Sequence, residues 1–198
     1  MIQNNKVIGL TGCSGSGKSL VASILASMGA YIIDADALNH ENLLPTGRAY
    51  HDVVKAFGRG ILDPEGAINR KTLGGIVFAI PEQMRRLEEI THGHVVRQVQ
   101  EHIRKAIDDY KVVVVDAPLL IEAGLHNDVD EVWVVVADYE SRLMRISSRD
   151  GLSREDAVKR LAAGTPTEVL EAYAHVIIKN NGDIESLNRQ IADIRDVF

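Results

Sequence analysis

The sequence predicts a three-layer α/β fold, in which a parallel β-sheet lies between two layers of helices. Short and nearly continuous runs of β-branched residues are typical of strands buried on both faces of a parallel sheet. Helical patterns separate these runs, and strands that alternate with helices indicate an α/β fold. The predicted strands are residues 6–11, 31–34, 112–117, 132–137 and, with a weaker pattern, 176–179.

Apolar residues recur at helical spacing in several segments between these strands. The helices predicted in this way are 18–28, about 81–90, about 95–110, 139–150 and 184–197. A further helix begins after Ser153, which forms an approximate N-cap pair with Asp156, and runs to about Ala163. The segment 57–70 is rich in turn-forming residues and is predicted to be a loop.

Size and composition exclude several classes of protein. The 198 residues, of which 45% are hydrophobic and 25% charged, are typical of one globular domain with room for an inserted subdomain. A formal net charge of −6 makes a broad surface for nucleic acid or anionic membrane a poor interpretation. One cysteine excludes an intrachain disulfide, and neither a signal peptide nor a membrane span is visible. We therefore expect a cytoplasmic protein, as a monomer or weak homo-oligomer, that binds neither nucleic acid nor membrane.

Residues 12–19 match the phosphate-binding pattern G-x-x-x-x-G-K-[ST] at every fixed position. Glycines let the backbone curl so that successive N–H groups point at phosphate oxygens, and the following helix adds its N-terminal dipole. Lys18 is predicted to reach the β- and γ-phosphates, and the Ser19 hydroxyl is predicted to bind Mg²⁺. The residues predicted to hold the phosphates are Gly12, Cys13, Ser14, Gly15, Ser16, Gly17, Lys18 and Ser19. At Cys13 a small packing residue is favoured over a reactive thiol.

Three carboxylates follow predicted strands at the edge of the sheet where the loop lies. Asp116 ends the run VVVVD, which is the arrangement of an aspartate that lies near Mg²⁺, although a helix N-cap is an alternative. Asp34 and Asp36 stand two residues apart after the second strand, so their side chains point to the same side. One of them could accept the proton of an attacking hydroxyl, or both could only cap the next helix.

Arginines recur along the predicted helix 139–150. Arg142, Arg145 and Arg149 are three and four residues apart, which places Arg145 and Arg149 on the same face, and Arg160 lies on the following helix. A short mobile element that carries arginines is typical of a lid that closes over a transferring phosphoryl group. The alternative is a solvated face balanced by neighbouring carboxylates.

An ordered set of motifs resembles the dephospho-CoA kinase family from one end of the chain to the other. The stretches that carry the resemblance are 10–19, 34–36, 57–73, 77–78, 87–92, 116–122, 145–153 and Asn180. The stretch 116–122 is the most specific, because it reads DAPLLIE where the family has D-x-P-L-L-x-E. The chain departs from the family pattern at Leu20, Gly93, Gly164 and His175, where the family usually has Thr, Pro, Gln and Asp.

The resemblance implies a P-loop NTPase fold with a five-stranded parallel sheet, an inserted helical substrate-binding subdomain and a helical lid. Within a single domain, residues 1–198, it implies a nucleotide-binding core (1–36, 111–138 and 174–198), a helical CoA-substrate subdomain (37–110) and a lid (139–173). The implied reaction transfers the γ-phosphoryl group of ATP, with Mg²⁺, to the ribose 3′-hydroxyl of dephospho-CoA. The products are CoA and ADP, and the reaction is the final step of coenzyme A biosynthesis.

The resemblance also assigns roles to single residues. Asp36 is the first choice for the carboxylate near the attacking hydroxyl, and Lys18 with Arg145 or Arg149 would hold the transferring phosphoryl group. Ser19 and Asp116 stay the predicted metal residues. The residues implied on the acceptor side are Asp34, Arg70, Phe78, His92, Pro118, Leu119 and Glu122.

Other functions stay open on the sequence alone. Another P-loop small-molecule kinase, acting on a nucleoside or nucleoside monophosphate, would share the loop, the aspartate after the second strand and a lid, but would not need D-x-P-L-L-x-E. A nucleotide-binding protein with weakened catalysis would share the loop without the turnover. A guanine-specific switch is disfavoured, because residues 178–181 read IKNN rather than N-K-x-D.

Overall fold

The computed structural model describes residues 5–194, and a five-stranded sheet forms the centre of this part of the chain. The strands are β1 (Lys6–Gly12), β2 (Tyr31–Asp34), β3 (Val112–Asp116), β4 (Glu131–Val136) and β5 (Val176–Lys179). They form one parallel sheet in the order β2-β3-β1-β4-β5. The five strands predicted from the sequence are confirmed, and each bound agrees to within one residue.

The register of the sheet brings two sequence motifs to the same edge. Leu10 of β1 lies opposite Asp116, the last residue of β3, and Gly12 at the end of β1 lies opposite Val135 of β4. The carboxyl ends of parallel strands share one edge of the sheet. The phosphate-binding motif therefore starts at this edge, and Asp116 lies at the same edge.

The central strands are buried on both faces. Every residue of β3 is buried, as are five of the seven in β1 and four of the six in β4. One face packs against helices α1 (Lys18–Ser27) and α9 (Ile184–Ala192). On β1, a Cβ added to Gly9 would lie 2.7 Å from Leu120, so the segment after β3 lies close against this strand. Burial of this kind explains why the runs were continuous rather than alternating.

The helices between α1 and α9 include the predicted ones, with one correction, and four for which no bounds were predicted. They are α2 (Ala35–Asn42), α3 (Tyr50–Phe57), α4 (Arg70–Val77), α5 (Pro81–Ala106), α6 (Tyr139–Asp150), α7 (Arg154–Ala162) and α8 (Thr167–Glu171). The prediction of two helices at 81–90 and 95–110 is wrong, because α5 is continuous through Gly93. A glycine inside a helix costs only about 1 kcal/mol relative to alanine, and no proline interrupts this segment.

The ends of the helices agree with the sequence prediction in part. Asp156 donates its backbone N–H to Ser153 Oγ at 3.1 Å, which confirms the predicted N-cap of α7. The predicted terminal helix is shorter than expected, since α9 ends at Ala192, and its predicted end at Val197 lies outside the described residues. The predicted loop 57–70 contains one short 3₁₀ turn, Arg59–Ile61, and a single bridge between Leu62 and Ile68.

The chain divides into two compact units. The first combines the residues up to Ile33 with those from His102 onward, and the second is Asp34–Glu101. The second unit has its own apolar core, formed by Ala49, Val53, Ile61, Ile68, Leu73 and Val77. Among the residues described, 5–194, no helix is both long and apolar enough to cross a membrane.

Glu131, the first residue of β4, makes the stability of the first unit depend on pH. Partial burial raises the pKa of its carboxyl, but hydrogen bonds from Lys6 and from the Trp133 indole outweigh burial and leave the pKa below its ordinary value. Lys6 Nζ is 2.8 Å and Trp133 Nε1 is 2.9 Å from the carboxylate oxygens. Because the folded pKa is depressed, the stabilisation is complete above the unfolded pKa and is lost as pH falls through the folded value.

We expect Glu131→Gln to lower the free energy of unfolding at neutral pH by about 1 kcal/mol. The deficit relative to wild type should shrink in acid, because protonation removes the same charge from the wild-type carboxyl. Chemical denaturation from roughly pH 7 down to roughly pH 3 measures it. The control is Glu140→Gln, which removes the charge of an exposed ion-pair partner of Arg154 and should change the free energy of unfolding little. A Glu131 deficit that stays constant over this range would contradict the assigned ion pair.

Candidate active site

The phosphate-binding motif forms the turn between β1 and α1. β1 ends at Gly12 and α1 begins at Lys18, so the predicted strand–loop–helix context is confirmed. Gly15 and Gly17 have φ angles of 78° and 92°, in the left-handed region that glycine adopts without strain. The loop is also closely packed, since a Cβ on Gly15 would lie 2.7 Å from the Arg142 carbonyl oxygen.

Side chains from elsewhere in the first unit hold the outer side of this loop. A loop that turns its N–H groups inward turns its carbonyls outward, where they need hydrogen-bond donors. The bonds to these carbonyls are Arg142 Nε to Ser14 O (3.1 Å), Arg145 Nη1 to Gly15 O and Ser16 O (3.3 Å each), and Asn180 Nδ2 to Ser16 O (2.8 Å). Three consecutive carbonyls are thereby fixed by charged or amide donors.

Asn180 joins the end of β5 to this arrangement. Its side chain is buried, and its backbone carbonyl oxygen accepts a hydrogen bond from Arg145 Nη2 at 2.9 Å. Sequence reasoning used Asn180 only as part of a motif and missed its contact with the loop. The available signal was a polar residue placed directly after a buried strand at the ligand edge of the sheet.

The structure brings Lys18 and Asp116 together as an ion pair. Lys18 Nζ donates to Asp116 Oδ1, and both side chains are largely buried. Ser19 follows in the first turn of α1 and is exposed. Within residues 5–194 there is no group of three or more His, Cys, Asp or Glu side chains arranged to hold a metal ion. A serine hydroxyl with one carboxylate is nevertheless the donor set through which Mg²⁺ binds beside nucleotide phosphates.

Ser16 places a buried hydroxyl group in the phosphate loop. Its hydroxyl oxygen is fully buried and has no hydrogen-bond partner among the residues described. A buried hydroxyl that lacks a partner is destabilising, so this atom is suited to bond an oxygen of a ligand held by the loop.

Four of the arginines in the predicted lid segment separate into two pairs. Arg142 and Arg145 contact the phosphate loop, as described above. Arg149 donates to both carboxylate oxygens of Asp150 at 2.7 and 3.0 Å, and Arg160 Nη1 forms an ion pair with the same carboxylate at 3.1 Å. The hydrogen bond from Arg149 holds the pKa of Asp150 below its ordinary range. Of the two arginines predicted to be catalytic, Arg145 therefore lies at the loop and Arg149 pairs with Asp150.

The D-x-P-L-L-x-E segment lies beside the phosphate loop in the first unit. The Pro118 carbonyl accepts a hydrogen bond from Thr11 Oγ1 at 3.1 Å, which ties the segment to β1. Leu119 is exposed, and Glu122 accepts a hydrogen bond from Thr165 Oγ1. The predicted acceptor-side residues Pro118, Leu119 and Glu122 are thus held at the ligand edge of the sheet.

The two aspartates after β2 have different local positions in the second unit. Asp34 is the N-cap of α2, and its carboxylate accepts the backbone N–H of Ala37 at 2.9 Å. Asp36 lies in the first helical turn, and its side chain is exposed. Asp34 therefore caps α2, and the assignment of Asp36 as the carboxylate near the acceptor hydroxyl stays a prediction.

The remaining acceptor-side residues also lie in the second unit. Arg70 is the first residue of α4 and is exposed, and His92 lies half-buried on α5. Phe78 follows α4, and 81% of its side chain is exposed.

Comparison with known proteins decides the family. The family model for dephospho-CoA kinase matches residues 6–186, which is most of the chain. The chain belongs to the dephospho-CoA kinase family. This finding confirms the resemblance and the class of enzyme, a kinase, for which ATP is the implied phosphoryl donor.

Individual dephospho-CoA kinases agree over nearly their whole length. Those of Geobacter sulfurreducens and Geobacter metallireducens are each 48% identical to this chain, over 95% and 93% of it and 96% and 92% of their own length. The solved dephospho-CoA kinase from Campylobacter jejuni superposes with a TM-score of 0.71 at 29% identity, over 94% of this chain and 93% of its own. A shikimate kinase from Acinetobacter baumannii, with a TM-score of 0.51 at 15% identity, shares the fold only.

One departure from the dephospho-CoA kinase pattern has a structural explanation. His175, where the family usually has aspartate, lies just before β5. Its backbone N–H donates to the Val132 carbonyl at 2.9 Å, and its Nδ1 accepts the Val132 N–H at 3.1 Å. The imidazole therefore supplies the hydrogen-bond acceptor that this strand end needs.

We expect Gly17→Ala to weaken ATP binding by this protein at least about tenfold. The new Cβ would lie 2.1 Å from Asn180 Nδ2, so the Asn180–Ser16 hydrogen bond would break, and the positive φ would add strain. Gly29→Ala is the matched control, because Gly29 has a φ of 100° but open space around its Cβ position. Calorimetric titration with ATP measures both. Equal losses of affinity in the two variants would contradict the clash as the cause.

Proposed function

We propose that this enzyme transfers the γ-phosphoryl group of ATP to the ribose 3′-hydroxyl of dephospho-CoA, giving CoA and ADP. The observation that carries the proposal is the phosphate loop, whose three outer carbonyls are held by Arg142, Arg145 and Asn180, in a chain of the dephospho-CoA kinase family. A loop fixed in this way presents its N–H groups to a triphosphate without having to reorganise.

Lys18 and Arg145 are the proposed cations of the reaction. Phosphoryl transfer depends mainly on positioning and on stabilising the charge of the equatorial oxygens. Lys18 would exchange Asp116 for a phosphate oxygen as ATP binds, while Arg145 would keep its charge beside the loop. Arg149 is a proposed second cation of the lid, and its ion pair with Asp150 would have to open for it to act.

Ser19 and Asp116 are the residues proposed to hold Mg²⁺, the hydroxyl directly and the carboxylate through water. When bound, the ion would neutralise part of the charge on the β- and γ-phosphates. Their oxygen donors suit a hard cation, which supports the assignment.

The acceptor side is assigned to the second unit and to the D-x-P-L-L-x-E segment. We propose that Asp36 accepts the proton of the 3′-hydroxyl as it attacks, because it matches the second aspartate of the family's D-A-D motif and lies in the first turn of α2, whereas Asp34 caps that helix. Residues 37–110 would bind the CoA substrate, residues 139–173 would form the lid, and residues 1–36, 111–138 and 174–198 would form the nucleotide-binding core.

The proposed reaction is tested by following ADP release from Mg-ATP with and without dephospho-CoA. Adenosine, AMP and shikimate serve as control acceptors, and mass spectrometry detects the phosphorylated product. Release stimulated by dephospho-CoA alone, with CoA as product, is the expected result. Stimulation by a control acceptor instead would refute the proposed substrate, and a Lys18→Ala sample shows that the release comes from this site.

Two expectations about the cellular context stay predictions. The enzyme is proposed to be cytoplasmic and to be a monomer or weak homo-oligomer. Cell fractionation and sedimentation over a range of protein concentrations measure these properties.

A further inference from the structure

The phosphate loop is also held through Cys13, by the segment that follows α7. The Cys13 side chain is buried, and its Sγ lies 3.4 Å from the Thr165 carbonyl oxygen and 3.3 Å from Thr167 Oγ1. Thr167 is the first residue of α8, which contacts β1 and β4 in the first unit. The beginning of the loop therefore touches a segment about 150 residues away in sequence.

Arg142 links Thr167 to the phosphate loop. Its Nη1 donates to Thr167 Oγ1 at 3.3 Å, and its Nε donates to the Ser14 carbonyl at 3.1 Å. A guanidinium has donors only, so Thr167 Oγ1 accepts from Arg142 and keeps its own hydrogen for Cys13 Sγ. The thiol hydrogen can then go to the Thr165 carbonyl. The four groups thus form one directional chain of hydrogen bonds, from Arg142 through Thr167 and Cys13 to Thr165.

We propose that Arg142 and Thr167 are positioning residues of the phosphate loop, which fix residues 13 and 14 in the shape that binds the triphosphate. The inference rests on the proposed function, because it concerns the ATP site of that reaction. Neither residue has to touch the nucleotide. A loop rich in glycine has many conformations, and the fraction of molecules with the binding shape sets the apparent affinity for ATP.

The position of Thr167 supports this role over a purely local one. The N-cap of α8 is Pro166, and the described residues show no side-chain hydrogen bond that caps this helix. The Thr167 hydroxyl is instead directed to Arg142 and Cys13. Its removal should therefore act on the loop rather than on the formation of α8.

Paired variants test the proposal. Thr167→Val keeps the side-chain shape and removes the hydroxyl, whereas Thr167→Ser keeps the hydroxyl. Arg142→Met removes the donors, and Arg154→Met is its control, because Arg154 is exposed and pairs only with Glu140 among the hydrogen bonds described. Calorimetry without acceptor gives the Kd for Mg-ATP, steady-state kinetics gives kcat and both KM values, and thermal unfolding checks that each variant is folded.

Thr167→Val is expected to weaken ATP binding about 3- to 10-fold and Arg142→Met about 10-fold or more. Thr167→Ser and Arg154→Met should stay within about 2-fold of wild type, and the KM for dephospho-CoA should not change. The double variant Arg142→Met/Thr167→Val should lose less than the product of the two single losses, because the residues share one chain of bonds.

Three results would overturn the proposal. They are wild-type ATP affinity in Thr167→Val, an equal loss in Thr167→Ser, and fully multiplicative losses in the double variant. If Thr167→Val unfolds, Arg142→Met alone decides, by its ATP affinity relative to Arg154→Met. Failure of the proposed reaction is distinguishable, because wild type would then bind ATP without turning over dephospho-CoA, and the affinity comparison would still stand.

Discussion

Lys18→Ala is expected to lower kcat by about a thousandfold or more while the protein stays folded. Lys18 is the side chain proposed to hold the transferring phosphoryl group, and its ammonium already lies at the carboxyl edge of the sheet, paired with Asp116. A preorganised cation stabilises developing negative charge far more strongly in a site that excludes water than in bulk water. Its loss is therefore expected to raise the free energy of the transition state. Single-turnover measurement of CoA formation gives the size of the effect.

The same substitution has a separate effect on stability. Removing one member of a largely buried ion pair leaves the other charge without its main compensation, which typically costs about 3 kcal/mol. The double variant Lys18→Ala/Asp116→Asn should recover part of this stability, because the carboxylate charge is also removed, but none of the turnover. Thermal unfolding and kinetics of the three variants separate the two effects. Near-wild-type kcat in folded Lys18→Ala would refute the phosphate-loop mechanism.

The parts of this fold that the sequence predicted are those whose signal is local. Runs such as VVVVD in β3 are recognisable because burial on both faces removes the need for polar residues. The phosphate loop was recognisable because Gly15 and Gly17 adopt angles that other residues avoid. The continuity of α5 was missed because Gly93 is a weak breaker, and tertiary packing overrides a penalty of this size.

The parts that were not predicted depend on contacts between distant segments. Arg142 lies 128 residues from Ser14, and Cys13 lies 154 residues from Thr167. Helical spacing alone grouped Arg145 with Arg149, but the direction of each side chain is decided by the neighbouring segment, which spacing does not report. For this reason the spacing predicted one shared face, while the division of the arginines between the loop and Asp150 depends on the tertiary structure.

The two aspartates after β2 provide the sharpest test of catalytic assignment, because the chain supplies its own control. Asp36→Asn is expected to lower kcat by about 10²- to 10⁴-fold, since an amide cannot accept the proton of the acceptor hydroxyl. The affinity for ATP should change little. Asp34→Asn should leave kcat near wild type, because asparagine caps a helix as well as aspartate does and Asp34 bonds the Ala37 N–H.

Kinetics of the two asparagine variants, with the ATP Kd measured independently, distinguish the roles. If Asp36 is the proton acceptor, the dependence of kcat on pH should also change. The fall of kcat at acidic pH should be lost in Asp36→Asn and kept in Asp34→Asn. If Asp36→Asn instead loses ATP affinity at unchanged kcat, Asp36 is a binding residue. If the large loss of kcat falls on Asp34→Asn, the carboxylate that caps α2 is the one that acts on the acceptor, and the assignment of the proton acceptor to Asp36 is wrong.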